Sequence, residues 1–194
     1  MHQSFLFKTP DSQVIIYPQA FWLNTELPTN LVDEAVKLLI ANESNLIKSQ
    51  TGNNQNARNS QQIWLTDSHW IAGVVSHYAS IANRHFGYDL TGIHEHSLQY
   101  TVYNTGGFFH WHEDEPPKQT LPEVRKLAFS LQLSGEEEYT GGELQIYHCG
   151  NTFFAPKQKG SITFFDARCL HRVRKIKSGT RRALVGWIGG PHWK

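Results

Sequence analysis

Apolar residues recur at helical spacing in the first half of this chain and at alternate positions in the second half. The segment 27–44 predicts one amphipathic helix, with Thr29 or Asn30 as its N-cap. The apolar positions of this helix are Leu31, Ala35, Leu38 and Leu39.

A second helix is predicted after a polar interruption. The segment 49–62 is rich in Asn and Gln and has no hydrophobic period, which is typical of a surface loop. Asp67 or Ser68 then provides a cap, and Gly87 is placed to end the helix. The apolar face of this helix consists of Ile71, Val74, Val75, Tyr78, Ile81, Ala82 and Phe86.

From Ser97 onward the hydrophobic period changes to two, which indicates strands. The predicted strands are 97–103, 126–133, 143–148, 161–165, 169–176 and 181–188. Many short strands without intervening helices are typical of an antiparallel sandwich or barrel. We therefore expect a mainly β protein with flanking helices, in which the two N-terminal helices pack on one sheet. The loop 113–124 carries three prolines and several acidic residues, so we expect a stiff excursion at the mouth of the barrel.

Length and composition favour a single domain over 1–194, with a helical front at about 1–90 and a β core at about 97–190. The formal net charge is +1, so overall charge gives no case for a nucleic-acid or membrane partner. Two cysteines are too few for a disulfide framework, and the first thirty residues do not resemble a signal peptide. No apolar run approaches the roughly 18 residues that span a bilayer. We expect a protein of the reducing cytoplasm, and nothing in the pattern specifies its oligomeric state.

A possible metal site begins in the sequence HWHED. On an extended strand, His112 and Asp114 lie on one face because they are two residues apart. His110 precedes His112 by two and is a rival ligand on the same face. His171, on a later predicted strand, offers a third ligand. Two histidines and a carboxylate are the facial triad of non-haem Fe(II) oxygenases, whereas structural zinc sites usually use cysteines.

Three further features of the sequence bear on ligand binding. Arg181 opens the strand after His171, and a guanidinium there can bind a carboxylate through two parallel hydrogen bonds. His94 and His96 form a second His-x-His pair, for which a loop or strand-edge role is expected because no partner is evident. The basic residues between 168 and 182 would divide between two strand faces, which favours a solvated surface over a nucleic-acid site.

Three motifs together resemble the Fe(II)/2-oxoglutarate-dependent dioxygenases, in particular the prolyl 4-hydroxylase branch and its PKHD-type relatives. They are Y-x-x-G-x-x-x-x-x-H-x-D from Tyr103, YTGGEL from Tyr139, and H-x-V-x-x-I-x-x-G-x-R from His171. The segment 125–147 is similar to that group almost residue for residue in type, and the motifs span roughly 58–187. The resemblance implies a double-stranded β-helix, or jelly-roll, core.

The resemblance also implies roles for individual residues. His112, Asp114 and His171 match the iron ligands, and Arg181 matches the residue that pairs with the far carboxylate of 2-oxoglutarate. Tyr103 matches a tyrosine whose hydroxyl supports that carboxylate. The implied cofactors are Fe(II), the cosubstrate 2-oxoglutarate and dioxygen. The carboxylate of Asp114 favours hydroxylation over halogenation, since a halide would need a small residue at this position.

The substrate implied by the resemblance is a proline in a peptide or protein. Arg58 and Ser60 match an Arg-x-Ser that faces the peptide, and Trp187 matches an aromatic residue that touches the substrate proline. Trp187 also stands where nucleic-acid demethylases carry a second arginine, so no nucleic-acid partner is expected. The alternatives are a hydroxylase of a free amino acid or other small molecule, a cupin-like metal-binding protein, and a non-catalytic jelly-roll binding protein. A part for His110 or the loop 113–124 in substrate binding stays open.

Overall fold

The helices and strands are taken from a computed structural model of the chain. It describes residues 6–8, 14–16, 21–24, 27–49, 56–67, 69–93, 97–114 and 122–193. Within these residues lie α1 (Thr29–Ala41), a 3-10 helix (Glu43–Asn45) and α2 (Trp70–Phe86). The strands are β1 (Leu6–Lys8), β2 (Val14–Ile16), β3 (Phe21–Asn24), β4 (Ile47–Lys48), β5 (Arg58–Asn59), β6 (Gln61–Leu65), β7 (Leu98–Asn104), β8 (Phe108–His112), β9 (Val124–Gln132), β10 (Tyr139–Gly141), β11 (Leu144–His148), β12 (Asn151–Phe154), β13 (Ile162–Asp166), β14 (Leu170–Val173) and β15 (Ile176–Gly190).

Two antiparallel sheets form a double-stranded β-helix, which confirms the expected fold class. The major sheet has the order β3-β13-β9-β15-β7-β6-β4, and β10 pairs with β15. The minor sheet has the order β12-β11-β14-β8-β5, while β1 and β2 pair with each other. Strands that are far apart in sequence therefore become neighbours, as the crossovers of a jelly roll require.

Two hydrophobic cores explain why nearly all of β7 is buried. Leu98 and Tyr100 belong to the core between the two α-helices and the outer face of the major sheet. Tyr103 belongs to the second core, which lies between the sheets. Alternation along the strand sends successive side chains to these opposite faces. The prediction that both helices pack on one sheet is confirmed. Among the described helices, none is long and apolar enough to cross a membrane.

The predicted start of α1 is wrong by a residue or more. Pro28 is the N-cap residue, and its carbonyl accepts the backbone N–H groups of Leu31 and Val32 at 3.0 and 3.2 Å. Thr29 is therefore the first helical residue, and no side chain caps this end. The fixed φ of proline suits the start of a helix and replaces the expected polar cap.

The second helix begins later than predicted, whereas α1 begins earlier. His69 is its N-cap, and the Nδ1 atom accepts the backbone N–H of Ile71 at 3.3 Å. Asp67 is thus not the cap, and Ser68 lies outside the described residues. Gly87 ends the helix with φ of +68°, a left-handed conformation that glycine adopts without strain, so this prediction is confirmed.

The prediction that 49–62 is a surface loop is wrong for residues 58–62, which include β5 and the start of β6. β5 pairs with β8 in the minor sheet, and β6 pairs with β7 in the major sheet. Arg58, Ser60 and Gln62 are buried there. The segment lacks a hydrophobic period because these inward side chains are polar. Residues 50–55 lie outside the described part of the chain, as do His94, His96 and 115–121 of the predicted mouth loop.

Candidate metal and cosubstrate site

His112, Asp114 and His171 converge between the two sheets. His171 on β14 lies directly opposite His112 on β8, and Asp114 follows β8 by two residues. One ligand atom of each residue lies within 4.8 Å of the others. The Asp114 carboxylate oxygens are 3.6 Å from His112 Nε2 and 3.3 Å from His171 Nε2. Neighbouring ligands of an ion about 2.1 Å from each are about 3 Å apart, which is close to the two distances from Asp114, so the group can hold a metal ion.

Backbone carbonyls orient both imidazole rings. The Nδ1 atom of His112 lies 2.7 Å from the carbonyl oxygen of His110, and Nδ1 of His171 lies 3.0 Å from that of Cys169. A ring nitrogen that faces a carbonyl oxygen must carry the proton, which leaves each Nε2 lone pair free for a metal. Burial, followed by the charge of His171, lowers the pKa of His112 to about 4, so the ring is neutral near pH 7. The Phe109 ring stacks on His112 at 3.5 Å and holds its plane.

The turn between β13 and β14 supports two of the three ligands. The Asp114 N–H donates to the carbonyl of Ala167 at 2.9 Å, and Cys169 provides the carbonyl that faces His171. The turn is held by Asp166, whose carboxylate accepts two charge-assisted bonds from Arg168. Tyr88 donates a further hydrogen bond to the same carboxylate. Asp114 and His171 therefore share one rigid support.

His110 does not join the metal group in the described part of the chain. His112 of β8 lies opposite His171 of β14, and Phe109 lies opposite Val173. Three residues along β8 therefore correspond to two residues along β14. This shift in register breaks the alternation on which the rival assignment depended. His110 is exposed and its ring contacts Phe108 instead.

Arg181 is a buried cation next to the metal group. It lies opposite Tyr103 across β15 and β7, and only 2% of its surface is exposed. Its Nη2 atom donates to Gln132 Oε1 at 3.0 Å and approaches Ser130 Oγ at 3.5 Å. Its Nη1 atom is buried and has no hydrogen-bond partner among the described residues. Since an unpaired buried charge is costly, this site is suited to a carboxylate that arrives as a ligand.

A small cavity of about 50 Å³ connects the metal group to Arg181. Its wall includes Tyr103 and all three candidate metal ligands. A second cavity of about 10 Å³ adjoins Arg181 on another side, where Tyr139, Lys157 and Thr163 line it. Sequence reasoning missed these three residues and the polar partners of Arg181. The signal for the partners was present, since Ser130 and Gln132 are alternate polar residues within the apolar run 126–133.

Residues 98–189 match the family model of the 2OG-Fe(II) oxygenase superfamily. This part of the chain is therefore similar to that superfamily. A PKHD-type hydroxylase from Crocosphaera subtropica is 34% identical over 96 residues, which are 49% of this chain and 43% of that protein. The match thus spans less than half the length of the curated relative.

Solved structures of oxygenases share the fold. A prolyl-4-hydroxylase from Pseudomonas putida superposes with a TM-score of 0.73 at 16% identity, over 89% of this chain and 94% of that one. A Trichoplax adhaerens prolyl hydroxylase, in complex with a peptide fragment of the hypoxia inducible factor oxygen degradation domain, superposes with a TM-score of 0.71 at 17% identity. This match covers 87% of this chain and 83% of that one. The superfamily implies Fe(II), 2-oxoglutarate and dioxygen, and the histidine–carboxylate group and the unpaired Arg181 fit the first two.

Arg58 adds a second buried cation to the cavity wall. It is 8% exposed, and its guanidinium donates to the side chains of Ser60, Gln99 and Thr101 at 2.6, 2.7 and 3.2 Å. All three acceptors are neutral. Ser60 does not line the cavity; it supports Arg58 and bonds to Ser49. Of the predicted Arg-x-Ser pair, only Arg58 faces the cavity.

Trp187 forms another part of the cavity wall. The Trp64 ring lies 6.1 Å away, and the guanidinium carbon of Arg125 lies 3.8 Å from the centre of the Trp187 ring. Trp187 Nε1 is buried and has no hydrogen-bond partner among the described residues. The cavity therefore places an aromatic face and a cation, Arg58, near the metal group.

Proposed function

We propose that this chain is an Fe(II)- and 2-oxoglutarate-dependent dioxygenase that hydroxylates a C–H bond, with a proline of a peptide or protein as its substrate. The observation that carries the proposal is the unpaired cation of Arg181, buried on the wall of the cavity that the metal group also lines. A cupin-like metal protein or a non-catalytic jelly roll has no use for such a charge. The PKHD-type relative and the fold neighbours support the same class.

Different residues of the chain would have different roles in such a reaction. Bound Fe(II) and 2-oxoglutarate supply the oxidising chemistry, in which decarboxylation to succinate and carbon dioxide is coupled to insertion of an oxygen atom. His112, Asp114 and His171 would hold the metal from one side and leave positions open for ligands. Arg181 would orient the far carboxylate of 2-oxoglutarate, and Tyr103 lies beside it.

Exclusion of water is the second contribution of the chain. The side chains of the three metal-group residues are only 19, 12 and 7% exposed. Phe109 stacks on one imidazole, and the edge of Phe165 meets the ring of His171 at 4.7 Å. Apolar side chains that exclude water protect a reactive centre from unproductive proton transfer, and they keep electrostatic interactions in the site strong.

The proposed substrate is supported by the cavity wall near Trp187 and Arg58. A prolyl ring is apolar and suits the aromatic face of Trp187, while the peptide carbonyl groups suit the guanidinium of Arg58. Two fold neighbours are prolyl hydroxylases, and one of them is in complex with a peptide. A second candidate is a free amino acid or another small carboxylate, which the buried cation of Arg58 also favours.

One assay separates these candidates. The protein is incubated with Fe(II), 2-oxoglutarate and air, in separate reactions that contain either proline-rich peptides or free amino acids. The masses of the products are measured by mass spectrometry. We expect a mass gain of one oxygen on a peptidyl proline, with one succinate formed per product. A gain on a free amino acid would transfer the assignment to the second candidate. No succinate under any condition would refute the oxygenase proposal.

A further inference from the structure

Arg125 connects the aromatic wall of the cavity to one of the metal-group residues. It is the second residue of β9 and pairs with Gly189 of β15, next to a register shift between Ile188 and Gly189. Its Nη1 atom donates to the backbone carbonyl of Asp114 at 3.0 Å. The same guanidinium lies over Trp187, with its carbon 3.8 Å from the ring centre.

Asp114 depends on such bonds because it lies beyond the end of β8. The ladder between β8 and β14 ends at His112, so no strand pairing holds the Asp114 backbone. Its N–H is bound to the carbonyl of Ala167 at 2.9 Å, and its carbonyl is bound by Arg125. These two hydrogen bonds hold the backbone N–H and the backbone carbonyl of Asp114 in place. Arg125 is therefore one of the groups that hold the Asp114 backbone in place.

Trp187 in turn depends on Arg125. Its indole N–H is buried without a partner among the described residues, which disfavours the burial of the ring. Stacking against a partly buried guanidinium offsets that cost, since such contacts are worth more when they are desolvated. Only a planar guanidinium can stack through its face while it donates a hydrogen bond in its plane, so lysine cannot replace it.

We propose that Arg125 is a positioning residue that couples Trp187, on the substrate side of the cavity, to the metal ligand Asp114. Contact between substrate and the indole ring shifts the guanidinium, and the guanidinium transmits the shift through the Asp114 carbonyl. The metal site thereby responds to occupancy of the substrate side. This inference rests on the proposed metal site and substrate pocket.

The test is a double-mutant cycle on metal affinity, measured by titration of the metal-free protein with Co(II) and its visible absorbance. The four proteins are the wild type, Arg125→Ala, Trp187→Ala and the double variant. We expect each single variant to weaken Co(II) binding about tenfold, the size typical of residues that orient metal ligands. Because Trp187 acts through Arg125, we expect Trp187→Ala to add less than a twofold loss in the Arg125→Ala background.

Two conservative variants separate coupling from general damage. Arg125→Lys keeps a donor for the Asp114 carbonyl but loses the stack, so we expect a loss of Co(II) affinity similar to that of Trp187→Ala, with no further loss when Trp187→Ala is added. Trp187→Phe keeps a ring that the guanidinium can stack on, so we expect it to bind Co(II) as the wild type does. Melting temperatures are measured for every variant, and Trp187→Phe and Arg125→Lys carry the test if an alanine variant does not fold.

A matched control comes from the outer face of the minor sheet. The Arg172 guanidinium lies 4.6 Å from the centre of the Trp111 ring, and this pair does not line the cavity. Arg172→Ala removes an arginine–tryptophan stack of the same type, and we expect it to leave Co(II) affinity within twofold of wild type. Equal losses for Trp187→Ala in both backgrounds would overturn the coupling alone. A wild type that does not bind Co(II) would overturn the proposed metal site and this inference together.

Discussion

Replacement of Arg181 by methionine is expected to have opposite effects on cosubstrate binding and on the stability of the cosubstrate-free protein. The guanidinium is 2% exposed, and its hydrogen bonds to Gln132 and Ser130 are to neutral groups. A carboxylate bound to Nη1 would complete a buried, charge-assisted pair. Removal of one partner of such a pair costs about 2–5 kcal/mol, so we expect the Kd for 2-oxoglutarate to rise at least about 30-fold.

Without cosubstrate the charge of Arg181 is uncompensated, and burial of a charge without a counter-ion is unfavourable. Methionine fills a similar volume and carries no charge, although the bond to Gln132 is lost. We therefore expect the free energy of unfolding of the cosubstrate-free variant to equal or exceed that of the wild type. Without 2-oxoglutarate, the variant should therefore be at least as stable as the wild type. With 2-oxoglutarate, the wild type should be the more stable of the two.

The assay is thermal unfolding with Mn(II) in place of Fe(II), so that no cosubstrate is consumed. At 100 times its Kd, 2-oxoglutarate adds about 2.7 kcal/mol to the wild type, or roughly 5–11 °C in melting temperature for a chain of this size. A 30-fold weaker Kd leaves about 0.9 kcal/mol, or roughly 2–3 °C. Calorimetric titration provides the Kd directly.

Arg182→Met is the matched control, because Arg182 is adjacent in sequence and faces away from the cavity. Its Nε donates to Glu43 at 2.8 Å, and Tyr100 donates to the same carboxylate. Loss of this half-buried pair should lower stability by about 1–2 kcal/mol and leave the response to 2-oxoglutarate unchanged. An unchanged Kd in Arg181→Met would refute the reasoning, and a loss of the response in Arg182→Met would move the carboxylate contact to that residue.

Further predictions concern the metal group, the substrate wall, acid stability and the core. Asp114→Ala should weaken Fe(II) binding by more than about tenfold and abolish succinate formation, and near-normal turnover would contradict its place in the metal group. Arg58→Leu should raise the KM of the peptide or amino-acid substrate while succinate formation without substrate is retained, whereas an unchanged KM would exclude it from the substrate wall. Burial raises the pKa of Asp166, but the hydrogen bonds from Arg168 and the Tyr88 hydroxyl outweigh it and hold the pKa below 3.8. Its contribution to stability is thus present above pH 3.8 and lost as pH falls through the lower folded value, so Asp166→Asn should flatten acid unfolding in that range, as circular dichroism can measure. Phe164→Ala, at a fully buried position of the helix-facing core, should cost about 3–5 kcal/mol in urea unfolding, and a loss below 1 kcal/mol would contradict the packing described.

Local patterns in the sequence were sufficient for most of the elements from Ser97 onward. Alternation in 97–103 and 126–133 predicted β7 and β9 almost to the residue, because a strand that is packed against a core must alternate. Helical spacing of apolar residues predicted α1 and α2, because one face of each helix packs against the core. The starts of both helices were wrong, because Pro28 and His69 took the places of the usual polar caps.

The choice of candidate site residues also came from the sequence, through spacing and family resemblance. His112, Asp114 and His171 are 59 positions apart at their extremes in the sequence, and the structure brings their ligand atoms within 4.8 Å. Arg181 was predicted as a carboxylate contact, and its burial without an anionic partner in the described residues agrees with that use.

Tertiary structure decided that alternate polar residues in the segment 58–62 are buried. Arg58 and Ser60 lie in a segment without a period, and they are buried because β5 pairs with β8, about 50 residues later. The register shift along β8 turns His110 away from the metal group, and the stacking of Arg125 on Trp187 joins two strands of the major sheet. Periodicity reports only whether a segment has an apolar face. Which strands become neighbours, and what lies across the cavity from each side chain, depends on long-range pairing that no local pattern contains.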